Sequence, residues 1–269
     1  MAPIKPVFKD RHLCPGCKTA DQAKTEFLHN MRHDIRTALT GMIGLLDLLQ
    51  GQTDRDKIQE FTRILTKSSH ELLRFLNEVL ESIQVASGEI PLLNKKFDLR
   101  EILDNIVKLH QPAAIKKQLD LTLEMDPAIP NCLIGDPVRI YRVVLELLAN
   151  ALKFTSKGTV NISASLAKRE AQNVVINIFV EDTGIGIPPE KQQELFISFK
   201  RLTPSYENIY PGTGLGLFIV KQFLEDLKGE IYVESTLDKG SKFACVLPLK
   251  IPLLEHDPFD ASNNKGSNK

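Results

Sequence analysis

Three polar residues in the middle of the chain have the chemistry and the spacing of a metal–phosphate site. Glu146, Asn150 and Lys153 are four and three residues apart, so they stack on one side of a helix that we expect to begin at Pro137. Carboxylate and amide oxygens suit Mg²⁺, and an ammonium group neutralises phosphate charge. Taken alone, a solvated helix face would explain the same spacing more simply.

A first glycine segment, residues 182–188, follows a strand-like run. It begins with Asp182, so a carboxylate stands at the end of a strand, and Gly184 and Gly186 after it would let the backbone approach a ligand closely. An ordinary turn is the alternative interpretation.

A second glycine segment, residues 212–216, precedes a predicted helix. It consists of Gly212, Thr213, Gly214, Leu215 and Gly216. Unpaired backbone N–H groups at the start of a helix bind phosphate, so the segment is a candidate phosphate site. One glycine-rich run of this kind is weak support for a function. It becomes informative only together with the polar helix residues and the first glycine segment.

His33 and the residues after it could accept a phosphoryl group. With Leu28 at heptad position a, His33 falls at position f, farthest from the seam, so we expect its imidazole to face water or a docking partner. Asp34 follows directly, and Thr37 lies one turn later on the same face. A carboxylate can orient an imidazole and make its other nitrogen more basic. His29, one turn earlier, is the rival acceptor but lacks a following carboxylate.

Together and in this order, these segments resemble the ATP-binding domain of histidine kinases. Residues 148–155 resemble its N motif, the two glycine segments resemble its G1 and G2 motifs, and residues 240–243 resemble its terminal motif. Phe196 and Phe199 stand where the family has its F box, and we include Phe199 among the nucleotide-binding candidates. The resemblance extends over residues 32–249.

This resemblance implies a Bergerat fold that binds ATP and Mg²⁺. In the family's pattern Asp182 would hydrogen-bond the adenine amino group, Asn150 would bind the metal and Lys153 would contact phosphate. The backbone of the second glycine segment would surround the phosphates. Glu146 stands where the family more often has a second metal-binding asparagine, and we count it with Asn150 as a candidate metal ligand.

The segment from His33 to Thr37 resembles the H box of sensor kinases. The resemblance implies that His33 is the phosphoacceptor, and that an aspartate in the receiver domain of a response regulator receives the phosphoryl group next. Asp34 and Thr37 also match the arrangement by which related kinases dephosphorylate their regulator. Ala38 replaces the usual proline after the threonine, so any helix bend there should be weaker.

Two amphipathic helices must position this histidine. Apolar residues recur in steps of three and four over 28–49 and again over 58–86, with a break at 51–56, which predicts a helical hairpin. Four further leucines widen the apolar faces beyond what one hairpin can bury. They are Leu46, Leu73, Leu76 and Leu80. We therefore expect two copies to form a dimeric four-helix bundle.

The pattern after the hairpin predicts helices packed on a largely antiparallel sheet, an α+β two-layer sandwich. We divide the chain into a linker at 1–20, a dimerisation and histidine-phosphotransfer hairpin at 21–88, an ATP-binding domain at 89–251 and a disordered tail at 252–269. A mobile link near 87–97 is expected between the two domains.

Charge and composition disfavour several classes of protein. The 34 basic residues balance the 34 acidic ones, which argues against a nucleic-acid partner. No apolar run approaches the roughly 20 residues that span a bilayer, and the N-terminus lacks the apolar stretch of a signal peptide. We therefore expect a cytoplasmic protein, or the cytoplasmic part of a larger sensor, without membrane contact. Cys14 and Cys17 form one CxxC pair, but a zinc ribbon needs a second ligand pair, which the sequence lacks.

Two other functions remain open. In the wider superfamily of gyrase B, the ninety-kilodalton heat-shock chaperone and the mismatch-repair ATPases, a glutamate at the position of Glu146 activates water, so an ATP-hydrolysing machine is one alternative. A catalytically silent nucleotide-binding scaffold that signals by contact is the other. The His33–Asp34 pair disfavours the first alternative, and the presence of all the candidate site residues disfavours the second.

Overall fold

The chain folds into a helical hairpin followed by an open seven-stranded sheet with helices packed against it. The computed structural model describes the backbone of residues 17–87, 90–196 and 215–252, and the side chains of these residues except 17–30, 33, 34, 86 and 87. The hairpin and the α+β two-layer sandwich predicted from the sequence are both confirmed.

The hairpin consists of α1 (Cys17–Leu49) and α2 (Arg55–Ser87). Every described apolar position of the predicted seam is at least half-buried, because residues three and four apart share the face that meets the other helix. The Ser69 hydroxyl donates to the Met42 sulfur across the two helices at 3.3 Å. The Asp54 carboxylate accepts from the backbone N–H of Asp56 at 3.0 Å and caps the start of α2.

A second apolar face of the hairpin is exposed in the single chain. It contains Leu39, Ile43, Leu46, Leu73, Leu76, Leu80 and Ile83, whose exposed fractions run from 39% to 58%. The prediction that additional leucines lie outside the hairpin's own seam is therefore confirmed. A contiguous apolar surface of this kind is typical of a protein–protein contact.

The sheet follows the order β1-β3-β7-β5-β4-β2, with β6 paired to β7 beside β3. The strands are β1 (Lys95–Phe97), β2 (Leu119–Met125), β3 (Leu133–Gly135), β4 (Gly158–Glu170), β5 (Asn173–Asp182), β6 (Glu230–Thr236) and β7 (Gly240–Lys250). Only the pair of β2 with β4 is parallel. Burial alternates along β5, so one face of the sheet packs on the helices.

The remaining helices in the described part of the chain are α3 (Leu99–Lys117), α4 (Pro137–Phe154), α5 (Pro189–Gln192) and α6 (Gly216–Asp226). Aspartate side chains cap α3 and α4. Asp98 accepts from the N–H of Arg100 at 2.8 Å, and Asp136 accepts from the N–H groups of Val138 and Arg139 at 3.0 Å each. The N-terminus of α4, the helix that carries the candidate metal residues, is therefore fixed.

A buried ion pair attaches the segment after the hairpin to α4. Arg139 is 4% exposed and Asp136 is fully buried, and their charged atoms are 2.6 Å apart. The guanidinium also donates to the carbonyls of Ile90 and Pro91 at 2.8 and 3.0 Å, and Asp136 accepts from the N–H of Leu93 at 2.9 Å. Burial opposes ionisation of Asp136, but these N–H groups and the guanidinium lower its pKa.

The expected mobile link over 87–97 must therefore be narrower than the sequence suggested. Residues 90–93 are bound to α4 through Asp136 and Arg139, and residues 95–97 form β1. This described part of the link belongs to the sheet domain.

Arg139→Leu should lower the free energy of unfolding by roughly 3–5 kcal/mol, because it leaves the buried Asp136 carboxylate without its counterion. Urea unfolding measures the change. The control is Arg169→Leu at an exposed position of β4, for which we expect a change within about 0.5 kcal/mol. Equal effects of the two substitutions would show that the pair does not hold this region.

Candidate functional site

The three polar residues predicted on α4 share one face of that helix. Glu146, Asn150 and Lys153 are half-buried, while the residues on its other side are buried in the core. Those core residues are Val143, Val144, Leu147 and Ala151. Core packing therefore fixes the rotation of α4 and holds Glu146 of the polar face toward the start of α6.

Asp182 is a buried carboxylate at the end of β5, and its residue is 7% exposed. It lies between Val160 of β4 and Ser241 of β7 in the sheet register. The backbone N–H of Gly184 donates to Oδ1 at 2.8 Å, and the backbone of Ser241 also hydrogen-bonds the carboxylate. Burial raises the pKa of Asp182, and these two bonds only partly oppose the rise. A carboxylate has about four acceptor positions, so it retains capacity for a ligand donor.

The glycines of the first glycine segment serve close packing against the protein's own backbone. A Cβ on Gly184 would lie 2.5 Å from the Phe154 carbonyl oxygen, and Gly186, at φ +66°, would overlap the Thr236 carbonyl. The Ile185 N–H donates to the Phe154 carbonyl at 3.3 Å. In the structure these glycines let the segment fit between the end of α4 and the β6–β7 turn, and their predicted contact with a ligand stays a prediction.

Glu146 is engaged in an ion-pair chain that reaches the hairpin. Arg142, one turn earlier on α4, is 3.1 Å from the Glu146 carboxylate and 2.7 Å from that of Glu81 on α2. A second bond joins the Arg142 Nε to Glu81 at 3.1 Å. Burial raises the pKa of Glu146, and the Arg142 guanidinium opposes this rise. The carboxylate is therefore already partly neutralised by a neighbouring cation.

The start of α6 faces the same site. Leu215 at the N-cap is buried and makes no side-chain capping bond, and a Cβ on Gly216 would overlap the Glu146 carboxylate. Glycine at 216 thus allows α6 and α4 to approach closely. The helix N-terminus carries partial positive charge, which suits both this carboxylate and an anionic ligand.

Several predicted site residues lie outside the described residues. These are Phe199, Gly212, Thr213 and Gly214, together with the side chains of His33 and Asp34; Cys14 and the Cys17 side chain also lie outside. By its backbone, His33 belongs to α1, and Thr37 on the same helix is exposed. The structure thus brings Gly216 against Glu146 in the middle of α4, and Asp182 and Gly184 against the end of the same helix at Phe154.

Sequence reasoning missed two residues that contact this site. Arg142 precedes Glu146 by one helical turn, and that i,i+4 spacing of opposite charges was a usable signal. Glu81 gave no signal, because it is 61 residues away from Arg142 and only the packing of α2 against the sheet domain brings them together.

Two known protein families match consecutive parts of the chain. Residues 23–88 match the His Kinase A (phospho-acceptor) domain, which corresponds to the hairpin. Residues 135–251 match the family described as Histidine kinase-, DNA gyrase B-, and HSP90-like ATPase, which begins just before α4 and ends after β7. The two matches follow the order of the two structural parts.

Curated relatives have the same two parts. The sensor protein GacS of Pseudomonas syringae pv. syringae is 36% identical over 91% of this chain and 27% of its own length. The signal transduction histidine-protein kinase BarA of Escherichia coli strain K12 is 34% identical over 83% of this chain and 24% of its own length. The chain spans about a quarter of the length of these relatives.

Solved structures agree on the fold. Full-length ShkA in complex with AMPPNP superimposes with a TM-score of 0.63 at 25% identity, covering 87% of this chain and 46% of that one. The histidine kinase AdeS of Acinetobacter baumannii superimposes with a TM-score of 0.57 at 22% identity, covering 80% of this chain and 96% of that one. Within the described residues, no helix is both long and apolar enough to cross a membrane.

The phospho-acceptor hairpin, the ATPase-fold sheet domain and these relatives lead to one conclusion. The chain belongs to the sensor histidine kinases.

Proposed function

We propose that the protein transfers the γ-phosphoryl group of ATP to His33 and then to an aspartate of a response regulator, as a kinase of two-component signal transduction. The observation that carries this proposal is the buried Asp182 carboxylate, bound by a glycine segment that packs on the end of α4, in a chain whose hairpin matches the phospho-acceptor domain. The relatives named as sensor proteins and signal transduction kinases support it.

ATP would bind between α4, the first glycine segment and the start of α6. Asp182 would accept a hydrogen bond from the adenine amino group, and Lys153 would contact phosphate. The Lys153 ammonium lies 4.7 Å from the centre of the Phe154 ring, in the last turn of α4. Further contacts would come from Gly184, Gly186, Phe199, Gly212, Thr213, Gly214, Leu215 and Gly216. The ShkA structure with AMPPNP supports a nucleotide at this fold.

A magnesium ion would be held mainly by Asn150. The amide oxygen of this half-buried residue suits a hard cation, and its neighbour on the same face, Glu146, adds a carboxylate. Because Arg142 pairs with Glu146 at 3.1 Å, this carboxylate would have to share its charge between the guanidinium and the metal. A magnesium ion held there would offset phosphate charge and stabilise the charge that develops during transfer.

His33 would act as the nucleophile. Its neutral imidazole nitrogen forms a bond to the γ-phosphorus while the bond to the β–γ bridging oxygen breaks, so ADP leaves with that electron pair. The Asp34 carboxylate would accept a hydrogen bond from the other ring N–H and so orient the imidazole. The exposed Thr37, one turn further along α1, would help to position water when the kinase dephosphorylates its regulator.

We propose a homodimer formed through the exposed apolar face of the hairpin. A second copy would cover leucines such as Leu46, Leu73 and Leu80, each more than half exposed in the single chain. The phosphorylated histidine would then serve a receiver domain that docks on the outside of the bundle. The complex of ThkA with the response regulator TrrA has this fold and supports such an arrangement only at the level of the fold.

We also propose that the protein works in the cytoplasm, as part of a larger sensor protein. The relatives are larger sensor proteins, and ATP and the regulator would both be available there.

An ATP-hydrolysing machine remains the alternative, and Glu146 is the residue that would carry it. Burial raises the pKa of this carboxylate, as a general base requires. Its ion pair with Arg142 opposes the role, because a paired carboxylate is a weaker base. A silent scaffold would bind nucleotide without either reaction.

The proposed reaction can be tested by incubating the protein with ATP labelled at the γ position. We expect acid-labile, alkali-stable labelling of the protein that is lost in His33→Gln and in Asn150→Asp, while His29→Gln remains labelled. Label that survives His33→Gln would refute the assignment. Steady phosphate release without labelled protein would favour the hydrolase, and binding without either outcome would favour the scaffold.

We propose that the contact between Glu81 and Arg142 breaks during the transfer. Glu81 lies about ten residues further from the hairpin turn than His33, which at 1.5 Å per residue places them about 15 Å apart along the bundle. The sheet domain contacts α2 at Glu81, and a shift of this domain along α2 toward His33 would separate Arg142 from Glu81.

Glu81→Gln should therefore raise the rate constant of autophosphorylation by up to about fivefold, since a partly exposed ion pair contributes at most about 1 kcal/mol. Nucleotide affinity should stay unchanged. The matched control is Glu71→Gln, which removes an exposed carboxylate from the same helix. A rate that stays the same or falls in Glu81→Gln would contradict the requirement for release.

A further inference from the structure

Lys117, the last residue of α3, binds the C-terminal end of α4. Its ammonium donates to the carbonyl of Leu152 at 2.5 Å and to the carbonyls of Lys153 and Thr155 at 3.3 Å each. One side chain thus contacts three of the last backbone acceptors of the helix that carries the metal and phosphate candidates.

The end of α4 needs such a donor. The last carbonyls of a helix have no partner within it, and they carry partial negative charge that favours a cation. Thr155 closes the helix through its N–H and hydroxyl, which donate to the Ala151 carbonyl at 3.0 and 2.7 Å. The carbonyls that follow Ala151 depend on other donors, and Lys117 supplies them for Leu152 and Lys153.

The position of Lys117 is itself fixed by backbone structure. Gln118, directly after it, is in the left-handed conformation at φ 57°, and its N–H caps α3 on the Ala114 and Ile115 carbonyls. Leu119 then begins β2 and pairs with Gly158 of β4. The chain is therefore held on both sides of Lys117, so the ammonium is presented to α4 from an ordered turn.

At the turn that Lys117 binds, the end of α4 meets the first glycine segment. It contains Lys153, the proposed phosphate contact, and Phe154, whose carbonyl accepts from the N–H of Ile185 at 3.3 Å. Gly184 packs on the same carbonyl, where a Cβ would be only 2.5 Å away. A displacement of this turn would therefore move Lys153 and the first glycine segment together.

We propose that Lys117 is a positioning residue of the nucleotide site, acting through the last turn of α4 and touching no ligand itself. The inference rests on the proposed ATP binding. Its consequence is a loss of nucleotide affinity that is larger than the loss of fold stability would explain, because the turn can loosen while the sheet domain stays folded.

Lys117→Met tests this role, with Lys116→Met as the matched control. Lys116 is an exposed lysine in the same last turn of α3, so its substitution removes the same charge one residue away. Calorimetric titration with ATP and Mg²⁺ should give an affinity about threefold to fivefold lower for Lys117→Met and within about twofold of the original for Lys116→Met. Lys117→Arg should restore most of the affinity, since a guanidinium also donates to carbonyls.

Autophosphorylation separates this role from a merely structural one. For Lys117→Met we expect KM for ATP to rise in parallel with the dissociation constant, while kcat at saturating ATP stays close to the original. A lower melting temperature with unchanged ATP affinity would overturn the proposal, as would an equal loss in Lys116→Met. Failure of the unsubstituted protein to bind ATP would instead refute the proposed function, so the two failures are distinguishable.

Discussion

The proposed nucleotide site depends on a carboxylate that the fold removes from water. Asp182 closes β5 between two neighbouring strands, and burial raises its pKa although two backbone N–H groups bind it. Leaving a carboxylate in such surroundings costs stability unless its acceptor positions are used. The first glycine segment, the end of α4 and the β6–β7 turn are packed so closely around it that glycine is required at Gly184 and Gly186. The buried Asp182 carboxylate is the reason why we interpret the polar face of α4 as part of a binding site.

Charged residues of α4 connect the site to the rest of the molecule in two different ways. Arg139 is buried, binds Asp136 and two carbonyls of the preceding segment, and so makes that segment part of the sheet domain. Arg142 is partly exposed and pairs with both Glu81 of the hairpin and Glu146 of the site. Breaking the Arg139–Asp136 pair costs much free energy and breaking the Arg142–Glu81 pair costs little, because the cost of separating an ion pair rises with its burial. In the proposed mechanism the nucleotide moves toward a histidine on another domain, which needs one connection that stays intact and one that can break.

The sequence predicted the features that follow from local periodicity, and failed where distant segments meet. Helical spacing identified the polar face with Asn150, and α4 begins at Pro137 as the sequence predicted. The contact of Lys117 with α4 spans 35 residues and has no local pattern. The sequence placed the glycines of the first glycine segment but did not show that they also pack on the Phe154 and Thr236 carbonyls, because sequence shows where a side chain is absent and not which protein atom lies there. The roles of His33 and of the residues outside the described ranges stay predictions.

Adenine recognition by Asp182 is the central proposal. Calorimetric titration with ATP and with GTP measures this preference for adenine directly. Adenine presents an amino donor where guanine presents a carbonyl acceptor, so a carboxylate should accept from the first and repel the second. We predict that ATP binds in the presence of Mg²⁺, that GTP binds at least about tenfold more weakly, and that Asp182→Asn reduces this preference. Equal affinities for the two nucleotides, or an unchanged preference in Asp182→Asn, would contradict the account.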